Sequence, residues 1–367
     1  MLPAVLLPLV LALPCLLMGC PPAETTRTTE TDAAAGDGGG SLRRIVILTN
    51  GDDPYWDACQ AGAEAAASDL DLTSKGYRLA FERASFSAES QIDLLRQYQA
   101  AGDVAGLGIC VVDAESQRLA EEMAALQRQG ASVITIDNDL NAEKYRDNRT
   151  VYLGTDNFLG GQELGRAAAA IRPEGGKYVA LVGIESATNS RERTDGFADG
   201  AGEAFEEVER QADGGKEDIA RDRVRSTLEN HDDLAALVGI YAYNTPAAMQ
   251  IAGQMDRDLM IASFDADERS IAGMADGKVD VMVVQNPFAM GYEGVELLLA
   301  MATGEDAIVA ERFPNLGQDG GDIRNTGLKV VVPEGSPVTP DILDPSTELL
   351  TLPEFQAWLK KYGLRSS

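Results

Sequence analysis

Ile45-Val-Ile-Leu-Thr-Asn50-Gly-Asp-Asp-Pro54-Tyr55-Trp56 is the stretch that decides the fold. Its apolar run has no polar alternation, so the strand it predicts is buried on both faces, as strands of parallel sheets are. Asn50 closes the strand, and Pro54 suits the first turn of a helix. The same unit recurs along the chain. Val133 to Ile136 runs into Asp137, Val238 to Ala242 into Asn244, Ile261 to Phe264 into Asp265, and Val281 to Val284 into Gln285. In open α/β sheets ligands bind outside the carboxyl ends of the strands. Amides and carboxylates at five such ends are suited to hydrogen-bond something small and polar.

From Leu42 onward strands and helices alternate. The first series is strand Ile45–Thr49, helix Pro54–Leu70, strand Arg78–Arg83, helix Ala88–Ala101, strand Leu107–Val112, helix Ser116–Gln129 and strand Ser132–Ile136. A polar connection from Asn138 to Thr150 follows, and the alternation restarts at Val151–Gly154 and continues to the helix Met290–Thr303. Helices between strands imply parallel sheets covered on both faces. The number of strands suits two sheets of about five or six. The expected fold is therefore α/β, with two doubly wound parallel-sheet lobes and a cleft between their strand ends. The segment from Gly335 to Ser367 reads as an added tail, in which Pro353 opens a short amphipathic helix with Phe355, Trp358 and Leu359 on one face.

The first twenty residues are of a different kind. Met1 to Gly19 carries no charge and contains three prolines, which reads as an export signal rather than a membrane span. Gly19-Cys20 resembles the lipobox of bacterial lipoproteins, in which that cysteine is lipidated, although Met18 stands where a small residue is usual. Residues 21–41, rich in Thr, Ala, Gly and acid, cannot bury a core and read as a tether.

Composition excludes several functions. A net charge of −28, from 59 acidic and 31 basic residues, opposes binding to nucleic acid and to anionic membrane surfaces. The single histidine, His231, cannot supply a multi-histidine metal site, and no Cys/His spacing fits zinc. Neither a metal nor a cofactor is expected. Cys59 and Cys110 are expected as buried, unpaired residues, the alternative being a disulfide.

Three local constellations carry chemistry. Tyr55 and Trp56, at a helix entrance beside a strand end, can stack on a sugar ring, the alternative being a hydrophobic staple for the helix. Arg191 and Arg193 begin a helix after a strand, and two residues apart only one can enter the cleft. The glycine-rich turn from Leu153 to Gly165 lacks the G-x-G-x-x-G order of dinucleotide sites, so its small residues are expected to admit a close helix, with Asp156 or Asn157 as cap. No P-loop and no G-x-S-x-G motif occurs. Asp137 and Asp265 could form a glycosidase pair, but the many neutral amides suit holding rather than cleaving, so no enzyme is expected.

These residues resemble the ribose-binding-protein-like sugar binders of the type 1 periplasmic class, the solute-binding lipoproteins of ABC transporters. The resemblance covers roughly Leu42 to Pro333. Asn50 with Pro54-Tyr55-Trp56 is similar to the family's Asn…Pro-aromatic-aromatic, and Ile134-Thr-Ile-Asp137-Asn138 to its strand ending in Asp plus a polar residue. Thr155-Asp-Asn-Phe-Leu-Gly-Gly resembles the segment opening the second lobe. Ser190-Arg191-Glu-Arg-Thr-Asp-Gly-Phe resembles the arginine motif, whose first arginine is the ligand contact. Ala242-Tyr243-Asn244, Phe264-Asp265-Ala266 and Val284-Gln285-Asn286 match the last three contact strands.

The resemblance implies ligand contacts at Asn50, Tyr55, Trp56, Asp137, Asn138, Arg191, Tyr243, Asn244, Asp265 and Gln285. It also implies three crossovers acting as a hinge, near Asn148–Tyr152, Gln285–Pro287 and Asn325–Leu328. The first lobe would comprise residues 42–150 plus 286–325, and the second 151–285 plus 326–334. The implied protein is a monomeric, periplasmic or cell-surface carrier, anchored through Cys20, that delivers a sugar or polyol to an ABC permease. A sensor subunit for a membrane receptor is the alternative. Asn138 stands where ribose binders carry arginine, and the stretch from Arg210 to Ile219 lacks their second-lobe aromatic, so the pocket is not expected to be a copy of the ribose site.

Overall fold

The structure, a computed structural model, describes residues 41–185 and 187–367. The export segment, the acceptor Cys20 and tether residues 21–40 lie outside the described residues. Along the first part of the chain run β1 (Arg43–Thr49), α1 (Tyr55–Asp69), β2 (Tyr77–Arg83), α2 (Ala88–Ala101), β3 (Val104–Ile109), α3 (Gln117–Arg128), β4 (Ser132–Ile136), α4 (Ala142–Tyr145) and β5 (Tyr152–Gly154). Then follow α5 (Asn157–Ile171), β6 (Gly176–Val182), α6 (Thr188–Ala201), β7 (Phe205–Ala212), α7 (Glu217–Asn230), β8 (Leu234–Gly239), α8 (Asn244–Gln254), β9 (Met260–Phe264), α9 (Glu268–Ala275) and β10 (Val281–Val284). The chain closes with α10 (Pro287–Thr303), α11 (Asp306–Arg312), β11 (Ile323–Asn325), β12 (Leu328–Val332), β13 (Thr347–Thr351) and α12 (Leu352–Lys361).

Two sheets result, in the orders β11-β5-β4-β3-β1-β2 and β13-β12-β10-β9-β8-β6-β7. The first is parallel throughout, and in the second only β12 runs antiparallel to its neighbour β10. Within each, five consecutive strands take the same order: fifth, fourth, third, first, second. Alternate residues of β1 feed different cores, Ile45 and Ile47 on one face and Val46 and Leu48 on the other. Tyr178, Ala180 and Val182 of β6 do likewise against Val179 and Leu181. This is the period-two consequence of helices covering both faces.

The chain crosses between the sheets three times. The first crossing differs from the boundary expected at 150/151. Tyr152 and Leu153 stay in register with Thr135 and Ile136 of β4, and Val151 and Leu153 are buried in the first core, so the crossing falls at residues 155–156. The others lie at residues 285–286 and 326–327. Beside them Arg149, fully enclosed, is held between Asp139 and Asp322, and Asp322 also accepts from Arg146. This ion cluster fastens the approach to β5 to the approach to β11.

Besides the short β11 and β12, which follow the last helix of the alternation read from the sequence, two more strands were not apparent as strands. β7, Phe-Glu-Glu-Val-Glu-Arg-Gln-Ala, is the edge of its sheet, and its charged residues reflect one solvated side. The tail supplies the other: β13 pairs along its whole length with β12, extending the second sheet, and α12 buries Phe355 and Leu359 against that lobe. The second lobe thus includes residues beyond 334.

Helices α5 and α6 approach to backbone contact. A Cβ on Gly161 would lie 2.3 Å from the Arg193 carbonyl oxygen, and one on Gly196 would lie 2.2 Å from that of Phe158. The small residues of the glycine-rich turn therefore serve helix packing, and Asp156 caps α5 by accepting the Leu159 N–H at 2.9 Å. In a free helix Gly→Ala would gain about 1 kcal/mol. In Gly196→Ala the clash with backbone reverses the sign, and urea unfolding should show a net loss of at least about 1 kcal/mol.

Candidate functional site

The equivalent fourth strands of the two sheets end in the same way. Asp137 after β4 and Asp265 after β9 both adopt left-handed backbone, each with φ +66°. Each N–H is bonded to the neighbouring fifth strand, Asp137 to the Leu153 carbonyl at 3.0 Å and Asp265 to that of Val283 at 2.7 Å. Aspartate is among the few residues that enter this region readily. The turn it makes presents one carboxylate from each lobe at the carboxyl edge of its sheet.

Around Asp137 the donors are sparse. The Tyr55 hydroxyl, at the start of α1, donates to Oδ1 at 2.9 Å, and the Cys110 thiol faces Oδ2 at 3.5 Å. The Tyr152 hydroxyl donates to the Asp137 carbonyl oxygen at 2.9 Å and so fixes the backbone rather than the carboxylate. Asp265 is better supplied. Gln285 donates Nε2 to its Oδ1 at 2.8 Å, and the Gln285 Oε1 accepts the Thr155 hydroxyl at 2.7 Å. Two of the three crossovers are thereby joined to the second carboxylate.

The arginine that reaches this site is Arg193. It is 4% exposed, its Nη1 lies 3.5 Å from Asp265 Oδ2 and donates to the Ile240 carbonyl oxygen at 2.9 Å, and its Nε donates to Asn157 Oδ1 at 2.9 Å. Its guanidinium sits 3.9 Å above the Phe264 ring centroid. Arg191, the arginine singled out by the family motif, is exposed. A separation of two residues turns a helix by about 200°, so the two project from opposite faces, and the close α5–α6 contact selects the face bearing Arg193. Its charge is felt by Tyr55 and by Asp137 as well as by Asp265, so the strand-end carboxylates of both lobes lie within electrostatic reach of one guanidinium.

The other expected residues are distributed unevenly. Asn50 accepts the Trp56 indole N–H at 3.1 Å, and Trp56, 2% exposed, is packed in the first core with its edge against Tyr55. Trp56 therefore orients Asn50 and offers no open ring to a ligand, whereas Tyr55 keeps its hydroxyl on Asp137. Asn138 is exposed and gives its amide to the Val111 carbonyl oxygen at 2.6 Å, which ties it to a strand end and away from Asp137. Tyr243 and Asn244 both turn toward a residue the sequence did not single out. Asp213 takes the Tyr243 hydroxyl at 2.6 Å, the Asn244 amide at 2.7 Å and the Gly215 N–H at 2.8 Å. It follows the edge strand β7, whose charged sequence concealed the strand and so the strand end. Phe86 was also missed. It is 55% exposed, follows β2, adopts φ +53°, and bonds its N–H to the Asn50 carbonyl oxygen at 2.8 Å. Its ring lies over Gly51, where a Cβ would come within 2.3 Å of it.

Cys59 and Cys110 are both buried and free. Among the described residues no group of His, Cys, Asp and Glu could hold a metal ion, and no helix is long and apolar enough to cross a membrane.

Residues 44–306 match the family model of the periplasmic binding protein domain, and the chain belongs to that family. Its members hold solutes rather than transform them. The ribose import binding protein of Salmonella typhimurium is 24% identical over 283 residues, 73% of this chain and 87% of that protein. The ribose import binding protein of Bacillus subtilis is 24% identical over 189 residues, 50% of this chain and only 58% of that protein, under two thirds of its length. Among solved structures, the sugar-binding protein of a sugar ABC transporter from Bacillus halodurans superposes with a TM-score of 0.68 at 22% identity, covering 80% of this chain and 98% of that one. The fold is that of the type 1 periplasmic binding proteins.

Burial holds the carboxyls of Asp137, Asp213 and Asp265 above their ordinary value of 3.8, opposed in part by their hydrogen-bond donors and, for Asp137 and Asp265, by the charge of Arg193. A folded pKa above the unfolded one means that the folded state binds the proton more tightly. These groups therefore add stability as pH falls through their raised values, an effect complete below 3.8. Asp322, held below 3.8 by the hydrogen bonds of Arg146 and Arg149, acts oppositely and loses its contribution as pH falls beneath that value. Asp137→Asn should stabilise the ligand-free protein at neutral pH by on the order of 1 kcal/mol. It should also flatten the gain in stability on mild acidification, read by urea unfolding across that pH range.

Proposed function

We propose that the protein is an extracytoplasmic carrier that captures a sugar or polyol between its two lobes and hands it to an ABC permease. One observation carries this reading: equivalent carboxylates, Asp137 and Asp265, end equivalent strands of two lobes and share one cleft with a buried arginine. Carboxylates and planar donor forks suit vicinal hydroxyls, which donate to the first and accept from the second. The relatives' names, two ribose import binding proteins and a sugar-binding protein, support the same class of ligand.

The first lobe offers Asn50, Tyr55 and Asp137, with Phe86 as its exposed aromatic face. The second offers Arg193, Asp265 and Gln285, with Asp213, Tyr243 and Asn244 as a connected group beside them. Each lobe alone satisfies only part of a polyhydroxylated ligand. Closure about the three crossovers brings both sets onto it, and the closed form is what a permease would recognise. Export, lipid attachment through Cys20 and action as a monomer on a tether complete the proposal.

A thermal-shift screen against pentoses, hexoses and polyols tests it. A sugar at a hundred times its dissociation constant should add about 2.7 kcal/mol of stability, a rise of roughly a few degrees for a chain of this size. Isothermal titration should then show Arg193→Ala weakening that sugar by about 1.5–3 kcal/mol, with Arg191→Ala close to the parent protein. The reverse ranking of the two arginines would reassign the contact, and silence across the panel would remove sugars as the ligand.

A further inference from the structure

The cleft is out of charge balance. Asp137 and Asp265 face it, Asp213 ends the edge strand of the second lobe, and among the described residues Arg193 is the one cation within ion-pair distance of any of the three. That guanidinium already serves Asp265, the Ile240 carbonyl oxygen and Asn157. Asp53 adds further negative potential at Asp265.

The three carboxylates differ in how they are served. Asp213 has three neutral donors at 2.6–2.8 Å, which spread its charge over a hydroxyl, an amide and a backbone N–H. Asp265 has Gln285 and the arginine. Asp137 has one hydroxyl on Oδ1 and, on Oδ2, only a thiol at 3.5 Å, a weak donor. No side-chain N–H of the described residues bonds its carboxylate. The adjacent residue, Asn138, carries no charge and directs its amide to Val111. A half-buried carboxylate with so little compensation is the place in this cleft where an incoming cation gains most. An anionic ligand would meet the same surplus as repulsion.

We propose that the ligand is a sugar bearing a protonated amino group, seated with its ammonium on Asp137, and that phosphorylated and uronic sugars are rejected. This rests on the sugar-binding reading above. Arg193 and Gln285 then bind the ring hydroxyls from the second lobe, and the ammonium supplies at contact distance the positive charge that Asp137 receives only at longer range from Arg193.

Isothermal titration of the full chain, in low-salt buffer at neutral pH where sugar amines remain largely protonated, provides the test. D-glucosamine, D-galactosamine and D-mannosamine are each compared with the parent hexose and with the N-acetyl derivative. At least one amine should bind about tenfold or more tighter than both of its neutral counterparts, the scale of one charged hydrogen bond. Asp137→Asn, checked for folding by circular dichroism, should bring that ratio toward one. A neutral hexose, pentose or polyol that binds as tightly as any of the amines overturns the inference and leaves sugar capture standing. If no sugar binds, charged or neutral, both readings fall together.

Discussion

Two aspartates held in left-handed backbone at the ends of equivalent strands are the constraint on which this molecule is organised. The conformation is costly for a side-chain-bearing residue and is repaid locally, because each aspartate N–H completes the ladder to the neighbouring strand. The turn then brings a carboxylate from each lobe to one cleft. Everything else in the site is arranged in relation to those two groups. Tyr55 and Cys110 attend the first, Gln285 and Arg193 the second, and Thr155 connects the second to the crossover.

The position of Arg193 shows how a site is set by packing remote from it. α5 and α6 touch backbone to backbone because Gly161 and Gly196 present no side chain. That contact fixes the rotation of α6, buries the guanidinium over Phe264, and lets Asn157 of α5 hold its Nε. An arginine is well suited to such a place, since its flat, weakly hydrated cation tolerates burial against an aromatic ring. The first lobe answers with less charge, so the cleft carries more carboxylate than it neutralises. Burial of these acids weakens the ligand-free fold at neutral pH, which is the usual relation between a prepared binding site and stability.

Repetition made most of the architecture legible in the chain. Apolar runs closed by Asn, Asp or Gln marked the strands of both lobes and the edge at which ligands bind, because a strand buried on both faces has no choice of residue type. The same reasoning failed where burial was one-sided or supplied from elsewhere. β7 is a charged edge strand, and β13 pairs with a distant strand that no local pattern announces. β5 was assigned to the wrong lobe because its few residues carry no sign of which sheet they join.

The sequence by itself determined the α/β class, the two-lobed repeat, the polar strand ends and the absence of zinc or dinucleotide motifs, all properties set by residue type and spacing. Tertiary structure alone decided which polar groups meet. It turned Trp56 into the core to orient Asn50, diverted Asn138 to a strand end, selected Arg193 over Arg191, and gathered Tyr243 and Asn244 around Asp213. The reason is geometric: spacing tells which residues share an element, but the direction of a side chain depends on how closely the neighbouring elements pack.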